Sequence, residues 1–116
     1  MTIEYITIAE TGHFVRQAEG LLSRDELETL TTILATQPLA GDVIRGSKGL
    51  RKLRFATGNR GKSGSTRVIY YFYNESIPLY LLDIYAKNRQ ENLTPKQLID
   101  LVKLIEGIKK SGGNNG

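Results

Sequence analysis

Between Val43 and Asn74 the chain carries eight basic side chains, Arg45, Lys48, Arg51, Lys52, Arg54, Arg60, Lys62 and Arg67, and no acidic one. Guanidinium and ammonium groups hold phosphates and stabilise the charge that builds on phosphorus during phosphoryl transfer. RNA is the polyanion best suited to such a site. Its 2′-hydroxyl is an internal nucleophile beside the phosphorus, so the substrate itself supplies proximity. A protein then has to hold the chain in line and stabilise a phosphorane-like transition state. Removing one preorganised group that does this costs about 10²–10³ in rate. Lys52, Arg54 and Arg67 suit that role, and Tyr71, Tyr73, Tyr80 and Tyr85 could stack on unpaired bases.

The rest of the inventory excludes other chemistries. Cysteine is absent and histidine occurs once, at position 13, which leaves no thiolate site and no histidine pair for a metal. His13 is far in sequence from the basic stretch and reads as structural or merely exposed. Asp83 reads as a strand-end acid balancing a nearby Arg or Lys. The run GNRGKSGS lacks the Walker spacing and opens no helix, so an NTPase is excluded. No G-x-S-x-G element or paired-carboxylate site is evident. No cofactor is expected. No apolar run approaches the ~18 residues of a membrane span, and MTIEYITIAE lacks the basic start of a secretory signal. The absence of cysteine fits a reducing cytoplasm.

Charge is unevenly distributed. Residues 1–42 hold two basic and seven acidic side chains, residues 43–74 eight and none, and residues 75–116 six and five. A field this uneven concentrates phosphate polymers and steers their encounter.

The elements that must position these groups follow from periodicity. Thr2–Ile8 alternates as a first strand. His13–Leu22 carries a helical apolar stripe. Ser23 caps a second helix, with Glu26 completing a capping box, and Gln37-Pro38 ends it. Leu50–Ala56 is a second strand with Lys52 and Arg54 on one face and Leu53 and Phe55 on the other; Arg51 falls on the Leu53 side. Thr57–Ser65 is a loop. Thr66–Tyr73 is a third strand, with Val68, Tyr70 and Phe72 opposite Arg67, Ile69, Tyr71 and Tyr73. Leu79–Ala86 is nearly all apolar and reads as a central fourth strand. Thr94, Pro95 and Gln97 open a last helix with an apolar stripe from Leu98 to Ile108. The order is β-α-α-β-β-β-α: an α+β domain over residues 1–110, with residues 111–116 as a disordered tail.

The run GDVIRGSKGLRKLRFATGNRGKSGSTRVIYYFYNESIPLYLLDIYAKNRQENLTPKQ closely resembles bacterial toxins of the RelE superfamily, especially the HigB-type branch. The match is specific at GLRKLR, at the Gly- and Lys-rich loop, at STRVIYY and at YLLDIYAKN. The resemblance implies a RelE-like fold: a strand and helical hairpin packed on an antiparallel sheet, with a C-terminal helix. It implies the toxin of a type II toxin–antitoxin pair, a metal-independent endoribonuclease that cuts mRNA in the ribosomal A site and so stops translation. It implies a cognate antitoxin, a small helix-turn-helix protein, and a cytoplasmic location.

By position, Lys52, Arg54, Arg67 and Lys87 match the family's catalytic basic residues. Arg54 and Arg67 take transition-state phosphate roles; Lys52 and Lys87 grip the substrate or move a proton. Arg51, Arg60, Lys62, Tyr71, Tyr85 and Asn88 are the expected RNA contacts. Several relatives place a Tyr or His general base where this chain has Thr94, so either Lys52 or Tyr85 takes the proton, or catalysis is slow and depends on the ribosome. The alternative reading is a non-cleaving binder of RNA or ribosome, or an autoregulatory homologue.

Overall fold

The computed structural model describes residues 5–57 and 65–113. Its elements are β1 (Ile8–Glu10), α1 (Gly12–Glu19), α2 (Arg24–Thr36), β2 (Asp42–Val43), β3 (Leu50–Ala56), β4 (Ser65–Tyr71), β5 (Leu79–Ala86) and α3 (Pro95–Gly113). The five strands form one sheet in the order β1-β5-β4-β3-β2. β3, β4 and β5 make the expected antiparallel meander. β5 is interior, flanked by β4 and by β1, which pairs with it in parallel from Ile8↔Leu79 to Glu10↔Leu81.

The helix boundaries follow their caps. Thr11 takes extended backbone geometry, and its hydroxyl accepts from the Phe14 N–H at 3.3 Å while donating to the Leu81 carbonyl at 2.9 Å. One residue therefore ends β1, starts α1 and fastens both to β5. At α2, Ser23 and Glu26 form the reciprocal capping box. At α3, Thr94 and Gln97 form another: Gln97 N–H donates to Thr94 Oγ1 at 3.1 Å and Thr94 N–H to Gln97 Oε1 at 2.9 Å.

Each face of the sheet has its own core. On one, the α1–α2 hairpin lays Phe14, Ala18, Leu30 and Leu34 against Phe55, Val68, Tyr70, Leu81 and Ile84. On the other, Ile105 of α3 and its partly buried neighbours Leu98, Leu101 and Val102 cover Leu50, Ile69, Tyr71, Leu82 and Tyr85. Burying a side chain of this size contributes roughly 1.5–3 kcal/mol, so both layers hold the sheet.

Several boundaries differ from the periodic reading: α1 spans Gly12–Glu19, and β4 spans Ser65–Tyr71, which leaves Phe72 and Tyr73 beyond the strand. Among the described residues strand pairing begins at Ile8, where β5 offers its ladder from Leu79 onward; residues 2–4 of the expected first strand lie outside the described residues. A two-residue strand, β2, lies in the segment read as a connection and pairs Asp42 with Lys52 and Val43 with Arg51. α3 continues to Gly113. Among the described residues, no helix is long and apolar enough to cross a membrane.

Gly41 is fixed by close approach. A Cβ there would lie 2.8 Å from Tyr70 Cε1 and 3.0 Å from the Lys52 carbonyl oxygen. The Tyr70 hydroxyl accepts from the Gly41 N–H and donates to the Pro38 carbonyl, each at 2.8 Å. Arg51 Nη1 donates to the Gly41 carbonyl at 2.6 Å. The segment leaving α2 is thereby pinned to the sheet.

Candidate active site

Strand register assembles the site. Across β3 and β4, Lys52 lies opposite Ile69 and Arg54 opposite Arg67. Across β4 and β5, Arg67 lies opposite Tyr85 and Ile69 opposite Asp83. Two adjacent rows therefore cross the sheet, Arg54–Arg67–Tyr85 and Lys52–Ile69–Asp83. Both lie on the α3 face, at the strand ends away from Leu50 and Tyr71.

A β-bulge makes this possible. The register slips between Ile69 and Tyr70, so Tyr70 pairs with Leu81 while Ile69 pairs with Asp83, and Leu82 is the extra residue. Simple alternation would put Leu81, Asp83 and Tyr85 on one face. With the bulge, Leu81 and Ile84 face the helical hairpin, while Leu82 and Tyr85 face α3. Bulges re-aim side chains in this way.

The electrostatics are one-sided. Arg54 and Arg67 stand directly across from each other, a like-charge pairing that destabilises an empty sheet and that a bound anion relieves. Arg67 Nη1 donates to Ser65 Oγ at 2.9 Å. Lys52 Nζ donates to Asn92 Oδ1 at 3.0 Å, which ties the loop before α3 to the site. Arg54 is exposed. Among the described residues, no carboxylate pairs with Lys52, Arg54, Arg67 or Lys87; the ion pairs lie elsewhere, at Lys48–Glu106, Lys96–Asp100 and His13–Asp83. Lys87 leaves β5 at the same end, its N–H donating to the Ser65 carbonyl at 3.0 Å, with its side chain exposed beside that of Asn88.

Other expected contacts fall differently. Arg51 is on the opposite face, across from Tyr70, and engages the Gly41 carbonyl. Tyr71 and Tyr85 are only 3% and 6% exposed, so packing beneath α3 leaves neither ring an open face for a base. Tyr71 instead stacks on Tyr73 with centroids 6.4 Å apart, and Lys109 sits over the Tyr73 ring at 5.2 Å. Burial raises the Tyr85 phenol above the ordinary tyrosine value; Arg67 pulls it back and Asp83 raises it further. Its hydroxyl donates to the Glu91 carbonyl. Arg60 and Lys62 lie outside the described residues.

Asp83 does not balance an Arg or Lys. It is 5% exposed, and its Oδ1 accepts from the Ile84 N–H at 2.8 Å and meets His13 Nε2 at 3.0 Å. The physical reason is the end of β1: α1 begins there and brings His13 to the edge of β5. A lone acid inside the apolar run LYLLDIYA was the available signal, since a buried carboxylate requires a partner. No group of three or more His, Cys, Asp and Glu side chains that could hold a metal occurs among the described residues.

No family model matches this sequence. Among solved structures, the chain is similar to an arginine-to-alanine double mutant of the E. coli toxin RelE in its free state. That similarity has a TM-score of 0.55 at 16% sequence identity and covers 76% of this chain and 88% of the other. The fold is therefore RelE-like: an α+β domain with a mixed five-stranded sheet and three helices, the last of them C-terminal.

Proposed function

We propose that this chain is the toxin of a type II toxin–antitoxin pair, of the HigB-type branch of the RelE superfamily. It acts in the bacterial cytoplasm as a ribosome-dependent, metal-independent endoribonuclease that cuts mRNA in the A site and halts growth. A cognate antitoxin, a small helix-turn-helix protein, neutralises it. The observation that carries this reading is the row Arg54–Arg67–Tyr85 beside Lys52, on one sheet face and, among the described residues, with no carboxylate paired to its cations.

In this reading Arg54 and Arg67 flank the scissile phosphate and stabilise its transition-state charge. Lys52, braced by Asn92, and Lys87 grip the flanking backbone, with Asn88, Arg60 and Lys62 as further contacts. If about five basic groups meet phosphates, binding to single-stranded RNA falls with salt at a log–log slope of roughly −3.5.

Arg54→Ala and Arg67→Ala are expected to abolish growth arrest while leaving the fold intact; a double variant as toxic as the parent sinks the mechanism. The second reading, occupancy of the A site without cutting, draws on Thr94. Its hydroxyl is committed to the α3 capping box, so no base stands where relatives place one. Mapping mRNA 5′ ends during induction separates the two, because stalling without new ends means binding alone.

A further inference from the structure

The row Lys52–Ile69–Asp83 ends at a side chain that the proposed mechanism does not use. Asp83 is buried and, as a carboxylate, can only accept hydrogen bonds. Its Oδ1 takes the Ile84 N–H and stands 3.0 Å from His13 Nε2. Nε2 therefore carries the proton, and in the neutral ring the lone pair sits on Nδ1. The imidazole is oriented from behind by a buried acid, with 54% of its side chain exposed. An aspartate that fixes tautomer and orientation is the arrangement by which histidines become efficient proton acceptors.

We infer that His13, held by Asp83, is the proton-transfer group of the basic site: His13 is the catalytic residue and Asp83 the positioning residue. The inference rests on the nuclease reading above. Lys52, Tyr85 and Thr94 are committed to other bonds, and Lys87 is kept for substrate grip. The Lys52 ammonium has no lone pair and donates to Asn92. The Tyr85 hydroxyl is buried and donates to Glu91. Thr94 caps α3. β5 is the strand next to β4, roughly 4.8 Å away, and Asp83 lies two residues along it from Tyr85, the partner of Arg67.

His13 Nδ1 takes the 2′-hydroxyl proton as O2′ bonds to phosphorus. The P–O5′ bond breaks, and O5′ takes a proton from water, leaving a 2′,3′-cyclic phosphate and a 5′-hydroxyl. His13 then returns its proton to solvent. Asp83 on β5 contacts His13; Tyr85 on the same strand feels both Asp83 and Arg67 of β4, and Glu10 on β1 and Arg16 on α1 are the charged residues nearest His13 along the chain. The Arg16 guanidinium folds back over Gly12, where a Cβ would meet it at 3.2 Å.

The test is the pH dependence of single-turnover mRNA cleavage on programmed ribosomes, for the parent, His13→Gln, His13→Ala, Asp83→Asn and Arg67→Ala. Glutamine keeps a donor for Asp83 but cannot carry the proton. His13→Gln is expected to melt within a few degrees of the parent yet cleave about 10²-fold or more slowly. The parent's rate should fall on acidification, and the glutamine variant should lose that limb. Added imidazole should partly restore His13→Ala. Asp83→Asn should lose at least tenfold. If Arg67→Ala is inactive while His13→Gln cleaves at the parent rate with the parent profile, His13–Asp83 only caps the sheet edge and this inference alone is overturned. If the parent itself generates no new 5′ ends, the nuclease reading falls and takes the inference with it.

Discussion

The sheet contains the same cross-strand pair twice, once on each face. Arg51 stands opposite Tyr70 and Arg67 opposite Tyr85. In both pairs the phenol is buried and bonded to a backbone carbonyl. On the hairpin face the pair is a fastener: Tyr70 holds Pro38 and Gly41, and Arg51 completes the grip on Gly41. On the α3 face Arg67 makes its one short side-chain bond to Ser65 and stands across from a second arginine. Identical chemistry is therefore structural where the chain encloses it and available to a ligand where the chain leaves the sheet end open.

The two pairs should differ most at Arg67. Arg67→Ala is expected to cut cleavage by about 10²–10³ while changing stability by no more than ~0.5 kcal/mol, read by single-turnover kinetics beside thermal melts. A loss of activity matched by a loss of fold would erase the distinction between the pairs. Tyr70→Phe should do the reverse. It leaves the Gly41 N–H and the Pro38 carbonyl without their partner, which costs about 1–3 kcal/mol. The melting temperature should drop by several degrees with cleavage per folded molecule retained.

Arg51→Ala sharpens the same point on a smaller scale. Losing the bond to the Gly41 carbonyl should cost about 1 kcal/mol, detectable as a lower denaturant midpoint with an unchanged slope.

The smallest effect concerns pH. Burial raises the phenols of Tyr70, Tyr71 and Tyr85, so the folded state holds these protons more tightly than the unfolded chain. Their contribution to stability is complete below the ordinary tyrosine value near 10 and is lost as pH climbs through the raised folded values. Denaturation curves should weaken above about pH 10, less steeply in Tyr85→Phe.

Much of the fold was legible because its signals are local. Ser23 with Glu26, and Thr94 with Gln97, mark helix starts that the hydrogen bonds realise. Alternation along GLRKLRFA separates Lys52 and Arg54 from Arg51, and the observed pairing keeps that separation. β2 was not legible, because two residues carry no period and Asp42–Val43 becomes a strand only when β3 supplies a ladder. The expected stacking roles of Tyr71 and Tyr85 met the same limit: nothing local reveals that α3 closes over them.

Local sequence alone puts a basic, acid-free segment on adjacent strands, with Lys52, Arg54 and Arg67 on one face. Side-chain period and charge are properties of neighbouring residues. The tertiary structure alone decided two things. The bulge at Leu82 turned Asp83 and Tyr85 toward that same face. The end of β1 brought His13, 70 positions away along the chain, to within 3.0 Å of Asp83. Both depend on how strands meet, and a strand's register and its edge exist only once its partners are in place.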